Sequence, residues 1–163
     1  MSHYFHTPGG EEHRRRITAR FWDTDWEFTT ADGVFSADGL DLGTAVLLRE
    51  SVPPGGASRL LDLGCGWGVL AVALASACPE AVVDAVDTNE RALALCAANA
   101  AAHGVGERVR TLLPADADPD ARYDEIWSNP PIRIGKQALH DLLLTWLPRL
   151  APGGTARLVV GRN

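Results

Sequence analysis

The stretch Leu60-Leu61-Asp62-Leu63-Gly64-Cys65-Gly66-Trp67-Gly68 constrains this chain more than any other. An apolar run ends in glycines at every second position and a helical pattern starts at once, so the segment reads as a buried strand, a tight turn and a helix N-terminus. Glycine, lacking a Cβ, reaches positive φ and lets backbone N–H groups approach a ligand, while the helix behind offers the positive end of its dipole. The expected product is a cofactor cradle. A dinucleotide fingerprint, Gly-x-Gly-x-x-Gly, would put its third glycine at position 69, where this chain has Val69. A tight turn with no ligand is the competing reading, and the rest of the chain decides between them.

From position 58 onward apolar runs alternate with helical patterns. Strands are expected at about 59–63, 81–86, 109–113, 123–127 and 155–160, with helices at about 68–77, 90–102 and 136–147. This alternation predicts an α/β fold with a doubly wound, mainly parallel sheet. Upstream, Arg16–Trp22 and Trp26–Thr30 alternate around Asp23-Thr24-Asp25 and predict a β-hairpin. A helix from about Leu40 to Glu50 follows, with Leu42, Val46 and Leu47 as its apolar stripe, and Pro53-Pro54-Gly55-Gly56 ends it. The expected organisation is a flexible tail at 1–14 and one domain at 15–163, divided into a lead-in (15–52) and a core (58–163). A chain of 163 residues is long enough for one such domain.

Composition excludes several classes. No apolar run approaches the roughly 20 residues of a membrane span. The opening MSHYFHTPGG also lacks the apolar core of a secretion signal, so the expected location is cytoplasmic. Cys65, Cys78 and Cys96 have no neighbouring cysteine or histidine at metal-ligand spacing, so no metal is expected and they read as small buried residues. The net charge of −6 argues against wholesale nucleic-acid binding. Arg14, Arg15, Arg16 and Arg20, with His3, His6 and His13 nearby, are the local exception: a solvated charged face or an RNA-facing arm.

In an open α/β sheet, ligands sit at the carboxyl ends of the strands. Asp87 and Asp116 occupy two successive ends, and Asp87 lies at the distance past the glycine loop where an acid can accept ribose hydroxyls. Asn129-Pro130-Pro131 follows the next strand. The prolines stiffen the turn and keep Asn129 out of the αR region, so a side-chain carbonyl and a backbone carbonyl can face one planar NH2 group. Accepting both N–H bonds directs the nitrogen lone pair at an electrophile without a strong general base.

Asp62–Gly68 together with Asn129-Pro130-Pro131 resembles the class I S-adenosylmethionine-dependent methyltransferases that act on exocyclic or amide nitrogens. Gly33-Val34-Phe35-Ser36, Leu40-Asp41-Leu42-Gly43-Thr44 and Pro130–Lys136 narrow the resemblance to the methyltransferase small domain group, which includes ribosomal RNA guanine-N2 methyltransferases. The resemblance implies S-adenosyl-L-methionine as cofactor, held by Asp62, Gly64, Cys65, Gly66 and Gly68 at the methionine part, Asp87 with Thr88 at the ribose, and Asp116 with Ala117 at the adenine. It implies that Asn129, Pro130, Pro131 and Ile132 form the catalytic turn, and that Arg133 and Lys136 meet a substrate, with ribosomal RNA or a ribosomal subunit as partner. Ile132 stands where many relatives carry an aromatic residue that stacks on the base. The fold also ordinarily continues into a further helix and an antiparallel strand pair, which this sequence does not show. The expected function is N-methylation of a guanine amino group in ribosomal RNA. A protein glutamine or small-molecule N-methyltransferase, or a catalytically silent cofactor- or RNA-binding partner subunit, are the alternatives.

Overall fold

The computed structural model describes residues 13–130 and 135–160, so Pro131, Ile132 and Arg133 lie outside the described residues. Strands β1 (Arg14–Phe21) and β2 (Thr24–Ala31) form a separate antiparallel hairpin. Its turn is Trp22-Asp23, one residue earlier than the polar run predicts, with φ of 50° and 55°. Two positive-φ residues in a two-residue loop match the strand twist, and the Trp22 indole N–H fixes the turn by donating to the Leu48 and Ser51 carbonyls at 3.1 Å. Trp26 and Phe28 face inward, and the Phe21 and Trp26 rings stack with centroids 4.8 Å apart.

The main sheet comprises β3 (Arg59–Leu63), β4 (Val82–Val86), β5 (Val109–Leu112), β6 (Tyr123–Ser128) and β7 (Leu150–Leu158), all parallel, in the order β5-β4-β3-β6-β7. The chain winds outward from β3 to β5 and then returns to the other side of β3, so the order reverses beside the glycine loop. Among the described residues, four α-helices accompany it: α1 (Leu42–Glu50), α2 (Val69–Ala77), α3 (Glu90–Ala102) and α4 (Gly135–Trp146). Helix α2 is buried from Val69 through Ala75, and only small or branched apolar residues fit so enclosed a place. The expected edge strand begins earlier than position 155, because Pro152 needs no ladder N–H at the sheet edge. In α1, Leu42 is 77% exposed, and the buried side is instead Thr44, Leu47 and Leu48, spaced three and four apart.

The hairpin, α2 and α3 share one core with Leu60, Val83, Ala85 and Trp127, while Leu61, Leu63, Val86, Tyr123, Ile126 and Trp146 form a second cluster. Asn99 of α3 clamps the hairpin to the sheet side. Its amide meets the Thr29 N–H and C=O at 2.8 and 2.9 Å and donates to the Trp67 carbonyl at 2.7 Å. Within the sheet, the buried Asp84 carboxylate accepts from Arg110 at 2.7 Å, from the Tyr123 hydroxyl at 2.7 Å and from Arg59 at 3.3 Å. Burial, reinforced by the Asp84 contact, holds the Tyr123 phenol well above its ordinary range, so it stays a donor.

Candidate active site

The glycine turn is built by its own backbone. The Gly64 and Cys65 amides donate to the Val86 carbonyl at 2.8 and 2.9 Å, and Gly64, Gly66 and Gly68 have φ of 79°, 54° and 104°. Gly68 caps α2 with no side chain, and a Cβ there would sit 2.8 Å from the Cys96 sulfur and 3.0 Å from its Cα. Asp87, at the end of β4, accepts the Gly66 amide at 2.8 Å through one oxygen and the Asn89 amide at 2.9 Å through the other. The expected ribose acid therefore also fastens the turn, and Asn89 caps α3.

Asp62 is 1% exposed and accepts the Ala71 amide at 2.9 Å through one oxygen, while its other oxygen has no partner among the described residues. Burial, with the nearby Asp87 charge, pushes its pKa up to about 7 against the opposing pull of the Ala71 bond. Cys65 enters as a small wall residue: its hydrogen bond with Cys96 and its burial hold the thiol well above its ordinary value.

A cavity of about 300 Å³ opens at these strand ends, between Gly64, Gly66, Asp87, Thr88 and Asn89 on one side and Asn129, Pro130, Leu142 and Trp146 on the other. A smaller recess shares Phe35, Gly64, Gly66 and Asn129 with it and reaches Asp41, Thr44 and Asp62. The segment between β2 and α1 forms part of both walls. It is tied down by Arg91 to the Asp32 carbonyl at 2.7 Å, Asn89 to the Gly33 carbonyl at 2.9 Å and the Trp67 indole to the Ser36 carbonyl at 3.2 Å.

Asn129 stands at the end of β6, half-buried, after Ser128, whose hydroxyl donates to the Leu63 carbonyl at 2.7 Å. Its amide nitrogen donates to Asp41 Oδ2 at 2.6 Å and to Thr44 Oγ1 at 3.0 Å. Both N–H bonds are thereby used, and among the described residues no donor meets Oδ1.

The structure thus gathers Asp62, Gly64, Cys65, Gly66, Asp87, Thr88, Asn129 and Pro130 around one space, with Gly68 just behind the turn. It does not bring Asp116 or Ala117 to that wall: Asp116 is exposed in the 3-10 turn Pro114–Asp116, Ala117 is buried in the second core, and Pro114 lines the cavity instead. Lys136 is exposed near the start of α4, away from the cavity lining. The arginines at the chain's start are largely matched by acids: Arg15 with Asp32 and Asp38, Arg16 with Glu27 at 3.5 Å and Arg20 with Asp25 at 2.9 Å. Phe35, Asp41, Thr44, Leu142 and Trp146 were not assigned roles from sequence. Phe35, Asp41 and Thr44 do fall in the two segments that carry the family resemblance, and Asp41 stands as a capping acid before an apolar helix.

Among the described residues no group of three or more His, Cys, Asp or Glu side chains is placed to hold a metal ion, and no helix is long and apolar enough to cross a membrane. Comparison with known proteins matches residues 25–163 to the methyltransferase small domain family. The Bacillus subtilis protein YbxB, itself uncharacterised, is 29% identical over 163 residues, covering 99% of this chain and 81% of YbxB. Ribosomal RNA small subunit methyltransferase C of Citrobacter koseri is 38% identical over 83% of this chain, which spans only 40% of that relative. Among solved structures, T. thermophilus RsmC, a 16S rRNA N2 guanine methyltransferase in complex with AdoMet and guanosine, superposes with a TM-score of 0.75 at 26% identity, covering 91% of this chain and 42% of RsmC. With most of its length matched and a doubly wound sheet carrying a glycine turn and an Asn-Pro turn at adjoining strand ends, the chain belongs to the methyltransferase small domain family.

Proposed function

We propose that this chain is an S-adenosylmethionine-dependent N-methyltransferase whose target is the exocyclic amino group of a guanine in small-subunit ribosomal RNA. The observation that carries the reading is the Asn129 amide, whose two N–H bonds are taken by Asp41 and Thr44, leaving Oδ1 to accept from an incoming NH2 group. The relatives described as ribosomal RNA methyltransferases support the substrate class.

The residues present fit the cofactor. Gly64 and Gly66 put no side chain into the cavity they line, and the unpartnered oxygen of buried Asp62 at the recess suits an ammonium group. Asp87 and Thr88 would take the ribose, and Pro114 would flank the adenine. The bound cofactor supplies an electrophilic methyl on a positively charged sulfur. Asn129 Oδ1 and the Pro130 carbonyl hold the two amine N–H bonds in one plane, which aims the nitrogen lone pair across the cavity. The target nitrogen would lose one of its protons to water after accepting the methyl. Positioning dominates such a step, and well-oriented reactants can gain about 7 kcal/mol or more from it.

Methyl transfer from tritiated S-adenosylmethionine to small-subunit RNA and to intact subunits, followed by nucleoside digestion and mass spectrometry, tests the reading. Label in N2-methylguanosine is expected. Label in protein alone, or in another nucleoside, overturns it.

A further inference from the structure

We propose that Asp41 and Thr44 are positioning residues that dictate which end of the Asn129 carboxamide faces the substrate, and so select an amino group over a carbonyl. The inference rests on the preceding reading that Asn129 meets the target amine. An asparagine amide is nearly symmetrical in shape: rotated by half a turn it presents N–H bonds where it had an oxygen, and would then favour a carbonyl edge over an amine. Something must distinguish the two orientations. Asp41 Oδ2 is an acceptor and lies 2.6 Å from Asn129 Nδ2, so a flipped amide would set oxygen against oxygen.

The carboxylate is itself fixed. As the cap of α1, Asp41 Oδ2 also accepts the Gly43 and Thr44 amides at 2.9 and 3.3 Å, and the buried Thr44 hydroxyl takes the second Asn129 N–H at 3.0 Å. An independent observation comes from Gly43. A Cβ at that position would sit 2.9 Å from Asn129 Oδ1, 3.0 Å from Asn129 Nδ2 and 3.0 Å from Asp41 Oδ2. A side chain there would press on the amide–carboxylate pair, which would have to shift to admit it. The first turn of α1 is thus built around the Asn129 amide, and the orientation passes from helix backbone to carboxylate to amide to target.

The test uses the full chain labelled with 15N in its asparagine side chains, with Asn129→Ala identifying the Asn129 resonance. In the wild type, the Asn129 amide protons are expected to be displaced downfield and to exchange with solvent at least tenfold more slowly than those of an exposed asparagine. Asp41→Asn keeps a capping oxygen but can offer its own NH2 to the amide, and Thr44→Val removes one acceptor. Both should lose the displaced, protected signal. With RNA substrate, Asp41→Asn should cut kcat about 10- to 100-fold with cofactor Kd within twofold, and should have no further effect on any residual turnover in an Asn129→Ala background. Freely exchanging Asn129 protons in the wild type overturn the proposal without reference to any substrate. Wild-type turnover by Asp41→Asn, where Asn129→Ala is inactive, overturns it as well. Full turnover by Asn129→Ala instead overturns the assignment of Asn129 as acceptor, and the selection proposed here falls with it.

Discussion

Asp87 Oδ2 lies 2.8 Å from the Gly66 amide nitrogen, so the acid that ends β4 holds the turn that follows β3. One carboxylate therefore serves both the shape of the cradle and the ligand expected in it. Asp87→Ala should weaken S-adenosylmethionine binding by tenfold or more, from the loss of a charged acceptor worth about 1.5–3 kcal/mol and from loosening of the turn. Calorimetric titration measures the first effect. The second shows in the ligand-free protein as a lower Tm, which a purely ligand-contacting acid would leave unchanged.

Asp62 should make cofactor binding depend on pH. Its pKa stands near 7, against about 3.9 in an unfolded chain, so the folded state binds the extra proton between these values. The contribution of this group to stability is complete below about pH 4, declines as pH rises through that window and is gone above the folded pKa. A cationic ligand group reverses the preference by favouring the ionised carboxylate. Cofactor affinity should accordingly rise with pH from 6 to 8, by up to about tenfold per unit below the pKa. Asp62→Asn should flatten the profile while binding more weakly at pH 8; titrations at several pH values decide it.

Gly68→Ala should destabilise the fold by about 2 kcal/mol or more, because it adds a Cβ at a φ of 104° and drives it against Cys96. Urea unfolding gives the number. Cys96→Ala should not restore stability in the double variant, since the Cys96 Cα, which no substitution removes, is already 3.0 Å from the added carbon.

Asn99→Ala should cost about 3 kcal/mol and release the hairpin in particular. The buried amide makes three bonds to backbone groups of β2 and the glycine turn, and their loss strands the Trp67 carbonyl. Hydrogen exchange should quicken at Thr29 and its neighbours in β2 more than in β3 or β4.

Much of this architecture was legible in the sequence. The β3 turn, the alternating strands and helices and the Asn-Pro turn each rest on local patterns: an apolar run before glycines, a 3.6-residue period, a proline that fixes backbone shape. Asp62 and Asn129 could be placed at strand ends for the same reason. Asp41 and Thr44 could not be paired with Asn129, because they lie more than 80 positions away and meet it only after the sheet closes. The arginines at the chain's start left two readings open for a related reason. Their run of like charge is visible locally, but Asp32 and Asp38, which pair with Arg15, come from the segment that follows the hairpin. Asp116, expected at the adenine, does not line the cavity, because the 3-10 turn after β5 presents Pro114 there.

The buried Asp84 cluster has a bearing on how the strands find their alignment. Its partners come from three different strands, Arg59 on β3, Arg110 on β5 and Tyr123 on β6, and all meet one carboxylate on β4. An apolar parallel sheet tolerates a slip of two residues with little change in hydrophobic content, since valine replaces leucine on the same face. Here any such slip would leave a carboxylate in the interior without its donors, an error costing about 3–5 kcal/mol. Mispaired sheets are therefore penalised during assembly, and the strands finish level. The carboxyl ends of the strands, which carry Asp62, Asp87 and Asn129, inherit that alignment from a cluster that lines neither the cavity nor the recess.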